Sequence, residues 1–219
     1  MQFLLDHLSA LLVASSVLLL VIVSRTDASQ LSIEQTSHYS ARSQVQTFTQ
    51  WLQADLTDIG ENYGNGRVAF SMPVQGTSGL SNGMTTLFEF SRDSLQTTSG
   101  VTRRYRVFIR YRLLSRGTTL VDSEPTAIPL FGVERDEQVV PAPTDSVTPT
   151  AGGWVRAGGG PGTLSQFRIV PNTRDGQPTT DLNAVDFLQL RLSFVPPFDT
   201  EKRELHELHW GTTVGIRPF

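Results

Sequence analysis

The amino-acid sequence predicts an α+β protein in which a long N-terminal helix packs on an antiparallel β-sheet head. The first 59 residues contain none of the 18 glycines and 12 prolines of this 219-residue chain, and glycine and proline are the residues that interrupt helices. Residues 8–23 form a run without charge. Beyond Gly60, segments alternate between apolar and polar residues, which is the period of a half-buried strand.

Residues 1–24 are predicted to form a transmembrane or filament-core helix. The apolar run, extended by residues 3–5, reaches the roughly 20 residues that span a bilayer. This length takes Asp6 and His7 into the membrane end. A cleavable secretory signal that ends at Ala28 is the alternative. Against it, no Lys or Arg precedes the apolar run, and the helical pattern continues beyond the cleavage site.

Residues 25–60 are predicted to continue this helix in amphipathic form. Residues 25–44 are mostly polar, and we expect them to lie free or against neighbouring stems. Apolar residues then recur at steps of three or four, which places them on one helix face. We expect this face to pack on the head, with Gly60 as the helix C-cap. Its members are Val45, Phe48, Leu52, Leu56 and Ile59.

Residues 61–219 are predicted to form a β-rich head with a variable loop at about 138–162. The clearest strand covers residues 101–114, where apolar and basic residues alternate. Residues 67–74, 85–90, 166–170, 187–195 and 208–216 have weaker strand patterns. Residues 138–162 contain four prolines and a run of three glycines without periodicity, which predicts a mobile surface loop.

Basic residues on the clearest strand are the first candidates for partner binding. They either grip an acidic partner or pair with cross-strand carboxylates, for which Asp122, Glu124 and Glu134 are available. Trp154, in its glycine-rich loop, is a further candidate, unless it packs in the core or on the stem. The four basic residues of the strand are Arg104, Arg106, Arg110 and Arg112.

Composition argues against several other classes of site. The absence of cysteine excludes disulfides, thiolate zinc sites and cysteine nucleophiles. The net charge of −3 gives no general electrostatic reason to expect nucleic acid. No phosphate-binding loop, serine elbow, zinc-protease motif or EF-hand loop occurs. We expect no cofactor and no metal, and we interpret one metal-like cluster as a solvated polar loop: Glu204, His206, Glu207 and His209.

The order of these elements resembles type IV pilins and type II secretion pseudopilins, closest to the large minor W-type pilins and J-type pseudopilins. Residues 48–60 are similar to the stretch where those proteins end the helix with a leucine, an acid-leucine pair and a glycine. Similar stretches follow at residues 106–120, 128–134 and 212–217. The resemblance implies assembly with other pilin-like subunits through the helix, at Phe3, Asp6, Leu12 and Leu19.

The resemblance also implies a single pass through the inner membrane with the head on the outer side. Family members carry a basic leader that ends in glycine, and a glutamate four residues beyond the new terminus. This sequence has no such leader, but Asp6 stands four residues after Gln2. We expect Asp6 to pair with a neighbouring subunit's amine, as the family's glutamate does. Arg25 on the C-terminal flank favours the opposite orientation by the positive-inside rule.

Three classes of function are open at this point. The first is a structural, minor subunit of a pilus-like filament or secretion pseudopilus. The second is a membrane-anchored or exported binding domain without a filament. The third is an anchored enzyme, which is disfavoured because no convergent nucleophile or acid/base set is visible in the sequence.

Overall fold

A single helix, α1, runs from Gln2 to Thr57 and crosses the boundary between two units, Met1–Ser40 and Ala41–Phe219. The computed structural model describes residues 2–62, 69–76, 83–120, 127–142, 147–195 and 208–216. Of residues 2–6, 34, 118–120 and 127 it describes the backbone alone. The division at Ser40 falls between the boundaries that the sequence predicts at residues 24 and 60.

The first unit is helical and displays its apolar side chains. The large apolar side chains of residues 8–23 are between 47% and 72% exposed. The hydroxyls of Ser15 and Ser16 donate hydrogen bonds to the backbone carbonyl of Leu12, at 2.9 and 2.7 Å. Such bonds satisfy a hydroxyl without water. By length and composition α1 can therefore cross a membrane.

The second unit contains an antiparallel sheet, so the α+β prediction is confirmed. Its strands follow one another in the order β1-β2-β3-β4-β6-β7-β8, and β5 pairs with β4. A 3₁₀ turn, Leu182–Ala184, precedes β7. The described strands are β1 Val74–Gln75, β2 Thr85–Thr98, β3 Val101–Leu120, β4 Ala127–Pro141, β5 Val155–Gly159, β6 Leu164–Asn172, β7 Phe187–Phe194 and β8 Leu208–Gly215.

The sheet continues from β4 to β6 through a short contact. These strands pair at one position, Phe131 with Leu164. The Ile169 N–H donates to Thr85 Oγ1 at 2.9 Å, so β6 also meets the start of β2. One hydrophobic core contains residues from strands on both sides of this contact and from α1.

The C-terminal part of α1 supplies one wall of that core. Four side chains of its apolar face are at most 3% exposed, and Val45 is partly buried against them. Burial of one such side chain stabilises a fold by about 1.5–3 kcal/mol, so this face attaches the helix firmly. The four are Phe48, Leu52 and Leu56 of α1, and Ile59 in the turn that follows it.

The helix ends slightly before the predicted cap. α1 stops at Thr57, and a turn follows. Gly60 has a φ of 70°, which favours glycine, and its N–H donates to the Ser91 carbonyl at 3.0 Å. The turn therefore joins the end of the helix directly to β2.

The predicted variable loop at residues 138–162 is wrong at both ends. Residues 138–141 complete β4, and residues 155–159 form β5 on its edge. Cross-strand partners at β3 hold β4 in place in spite of its weak alternation, because side-chain pairing decides strand formation more than local preference does. Residues 67 and 68 of the predicted strand at 67–74 lie outside the described residues. Of the rest, only Val74 belongs to a strand, β1.

Glycines that suggest a flexible loop make room for the helix instead. A Cβ at Gly158 would collide with the outer edge of the Trp51 ring. A Cβ at Gly160 would lie 2.9 Å from Phe48 Cε2. The glycine run at the end of β5 therefore lets two aromatic side chains of α1 reach the sheet.

We predict that Gly158→Ala lowers the free energy of unfolding by about 1–3 kcal/mol, because the added methyl displaces Trp51. Urea unfolding of the full chain in detergent, followed by tryptophan fluorescence, measures this change. Gly152→Ala is the matched control, since a Cβ there has no atom within 4 Å. Equal stability of the two variants would contradict the contact.

Candidate functional site

A buried carboxylate joins α1 to the sheet. Asp55 is 6% exposed. It accepts hydrogen bonds from Arg135 Nε at 2.6 Å and from the Tyr111 hydroxyl at 2.5 Å. Tyr111 and Arg135 are direct cross-strand partners on β3 and β4. One helical side chain thus fixes α1 to two strands.

Arg135 holds the helix at a second point one turn earlier. Its guanidinium carbon lies 5.0 Å from the centre of the Trp51 ring, a cation–π contact. Its Nη2 donates to the other oxygen of Asp55 at 3.2 Å, and its Nη1 donates to Glu137 at 2.8 Å. The contacts at residues 51 and 55 together set both the rotation and the axial position of the helix.

The environment of this group fixes its charge states. Burial raises the pKa of Tyr111 well above its usual range, and the Asp55 carboxylate raises it further. Burial alone would lower the pKa of Arg135, but its hydrogen bonds to Asp55 and Glu137 raise the pKa overall. The junction therefore holds a neutral phenol and a permanent cation.

On the opposite face of β3, Arg106 is buried rather than offered to a partner. It is 1% exposed and grips Asp93 with two bonds, Nε to Oδ1 at 2.8 Å and Nη2 to Oδ2 at 3.1 Å. Arg104 lies 3.6 Å from the same carboxylate and donates to the Ala142 carbonyl at 3.0 Å. Of the two alternatives that the sequence leaves open, Arg106 takes the pairing with a cross-strand carboxylate, because β2 places Asp93 directly opposite it.

The other two predicted arginines meet carboxylates of β4. Asp136 accepts from Arg110 Nη2 at 2.7 Å and lies 2.9 Å from Arg112 Nε. The Arg110 guanidinium carbon lies 4.2 Å from the centre of the Trp154 ring. The structure therefore brings two separately predicted candidates, Arg110 and Trp154, into one contact.

Two further arginines lie on this face, and the sequence analysis did not predict them as candidates. Arg156 Nη1 lies 2.8 Å from Glu134 Oε1, and Arg116 Nη2 lies 4.0 Å from the same oxygen. Arg112 Nη2 donates to Glu134 Oε2 at 3.4 Å. Arg116 comes after the predicted strand at residues 101–114, and Arg156 lies in the predicted loop. Neither residue was therefore among the predicted candidates for partner binding. Of the suggested carboxylates, Glu134 takes part, while Asp122 and Glu124 lie outside the described residues.

The predicted stem positions lie on the exposed helix. Leu12 is 62% exposed and Leu19 is 65% exposed. Phe3 and Asp6 belong to α1, but their side chains lie outside the described ones. Within unit one, the apolar surface at Leu12 and Leu19 is thus available to lipid or to another helix.

The described part of the head does not assemble a catalytic set. No group of three metal-ligating side chains occurs there, and Glu204, His206 and Glu207 lie outside it. His209 Nδ1 lies 2.8 Å from Ser193 Oγ. Ser193 is only 2% exposed, so its hydroxyl cannot reach a substrate.

An open groove of about 440 Å³ lies between α1 and the segment after β5. Phe48, Trp51 and Pro161 form its apolar lining, beside Thr47 and Gly160. The groove lies beside the contact between the helix and the glycine run. Its lining contains no acid/base pair.

Comparisons of the chain with protein-family models, curated proteins and solved structures find no match. Function must therefore be argued from the residues themselves.

We predict that Asp55→Asn lowers the free energy of unfolding by about 3 kcal/mol, because the substitution removes the buried counter-charge of the Arg135 guanidinium and leaves it only the more exposed Glu137. Chemical denaturation of the full chain measures the loss. Asp58→Asn is the control, since Asp58 pairs with Arg92 on the surface and side-chain exposures there are 31% and 38%. The control should cost about 1 kcal/mol or less. Similar losses in the two variants would contradict a special role for Asp55.

The raised pKa of Tyr111 predicts a loss of stability in alkali. The unfolded phenol ionises near pH 10 and the folded one only at higher pH, so stability is complete below pH 10 and declines above it. Between pH 9 and pH 11 the wild type should lose about 1.4 kcal/mol more than Tyr111→Phe. Unfolding curves at the two pH values measure this difference. Equal losses of unfolding free energy in the wild type and in Tyr111→Phe would show that the fold does not hold Tyr111 protonated.

Proposed function

We propose that this protein is a structural subunit of a type IV pilus-like filament or a type II secretion pseudopilus, and that it assembles through the apolar half of α1. One observation carries the proposal. A single helix continues from an exposed, charge-free segment at residues 8–23 into the core of a β-sheet head.

The exposed half of the helix supports assembly. A helix that is apolar all round is stable in a bilayer or in a bundle of similar helices. Exposed large apolar side chains lie on every side of residues 8–23. The same surface can therefore contact lipid before assembly and other helices in a filament core.

The attachment of the head supports the same function. A filament subunit needs a head that is attached to a helix. The buried apolar face of α1 and the bonds of Asp55 to Tyr111 and Arg135 provide such an attachment. We place the protein in the cytoplasmic membrane, with the head outside, before it joins a filament.

The second candidate is a single-pass anchored or exported binding domain without a filament. The contact between Arg110 and Trp154 favours it, because a stacked aromatic and guanidinium pair can form part of a binding surface. In this case the stem would serve as an anchor alone, and the arrangement of its side chains would not matter.

Exchange of residues within the stem separates these candidates. A variant with Leu12→Ser, Leu19→Ser, Ser15→Leu and Ser16→Leu keeps the composition and total hydropathy but alters the helix surface. We predict at least a roughly tenfold loss of filaments in electron micrographs of the native host, because helix packing depends on side-chain positions. Membrane fractionation should show wild-type amounts of inserted protein.

A conservative exchange of Leu12→Ile and Leu19→Ile is the matched control and should keep its filaments. Wild-type filament numbers in the rearranged variant would overturn the filament function. They would favour the anchored binding domain.

A further inference from the structure

The outer face of β3, β4 and β5 carries a compact group of arginines in excess of its acids. We call Arg110, Arg112, Arg116 and Arg156 the arginine cluster; they meet two carboxylates, Glu134 and Asp136. Glu89 of β2 lies directly opposite Arg110, so this face holds four arginines against three carboxylates, a surplus of one positive charge on a chain whose net charge is −3. A local surplus of opposite sign to the whole chain favours contact with an acidic surface.

The arginine cluster is held in place and remains accessible. The side chains of Arg112, Arg116 and Arg156 are 40%, 47% and 59% exposed. Gly132 lets Arg116 cross β4, since a Cβ there would lie 2.8 Å from its Nε. Each guanidinium has five N–H donors, so three carboxylates leave donors facing solvent. These N–H groups can donate to further carboxylates.

A complementary acidic surface lies on the same head. The connection between β6 and β7 carries three exposed aspartates and one exposed arginine, a surplus of two negative charges. Among the described residues these aspartates make no ion pair. Asp181 caps the 3₁₀ turn through the Asn183 N–H at 2.9 Å, which holds its carboxylate in place. We call this surface the acidic turn: Arg174, Asp175, Asp181 and Asp186.

The two surfaces lie at opposite ends of β6. Leu164, at its start, pairs with Phe131 close to the arginine cluster. Asn172, at its end, pairs with Phe187, where the acidic turn closes. A strand of this length separates its ends by about 25 Å. The surfaces of one head therefore cannot meet each other, but those of two heads can.

We propose that the arginine cluster of one head binds the acidic turn of a second copy of this chain. The surpluses are of opposite sign, and a long anionic polymer would be repelled by the remaining negative charge of the chain. Because the contact joins different surfaces, it repeats without closing and produces an open row of heads. This inference rests on the proposed function, since stem packing gives the weak surface pairs a high local concentration.

Disulfide crosslinking tests the contact, because the chain has no cysteine of its own. Ala157→Cys and Gln177→Cys, introduced together into the full chain, place one thiol beside each surface and keep every charge. Oxidation in native membranes should give a ladder of multimers that reductant removes. Ala157→Cys with Leu95→Cys is the matched control, since Leu95 is 56% exposed and belongs to neither surface. This control should give no ladder.

Charge reversal tests the cause of the contact. Arg156→Glu in the crosslinking variant should lower the multimer fraction about fivefold, and the further change Asp175→Arg should restore it. Absence of a ladder, an equal ladder in the control, or a ladder indifferent to Arg156→Glu would overturn the proposal. Binding of a hexaglutamate peptide without any ladder would also overturn it, and would indicate a different acidic partner.

Electron microscopy of the cysteine-free chain separates this result from the proposed function. Filaments without a ladder would overturn the contact between heads and leave the filament function standing. A ladder without filaments would support the contact within the membrane and overturn the filament function.

Discussion

A single buried carboxylate constrains how the helix meets the sheet. Asp55 lies on the helix between Leu52 and Leu56, which are fully buried, so it has no access to bulk water as a partner. Its desolvation is offset only if donors reach both oxygens, and Arg135 and Tyr111 do so from adjacent strands. A rotation of α1 by one residue would move the carboxylate about 100° away from them. Apolar packing attaches the helix, and Asp55 specifies its position.

On the other face of the sheet, buried carboxylates are also paired with donors from adjacent strands. Lys202 is the only lysine among 18 basic residues, and the cross-strand cations are arginines. A planar guanidinium binds a carboxylate with two parallel bonds, as Arg106 does with Asp93. Buried pairs such as this one define the register of β2 and β3. Exposed pairs around Glu134 leave surplus charge for contact with other molecules.

The sequence was sufficient for the parts of the fold that depend on local pattern. The absence of glycine and proline predicted α1, and the alternation of residues 187–195 predicted β7. It was insufficient where pairing in space decides the structure. Asp55 reads as one more polar residue of an amphipathic helix, since its partners lie 56 and 80 residues away. Gly158 and Gly160 read as a flexible loop, because the aromatic rings that require them belong to a distant helix.

The proposed filament function depends on a stem that remains part of the mature protein. Mass spectrometry of the N-terminal peptide, from protein extracted from its native membrane, tests this most directly. We predict a mature chain that retains residues 8–23, with its N-terminus at Gln2 if Met1 is removed. A mature N-terminus near Ser29 would mean that the apolar segment is a cleaved signal. The head would then be an exported domain without a stem, and the filament function would be contradicted.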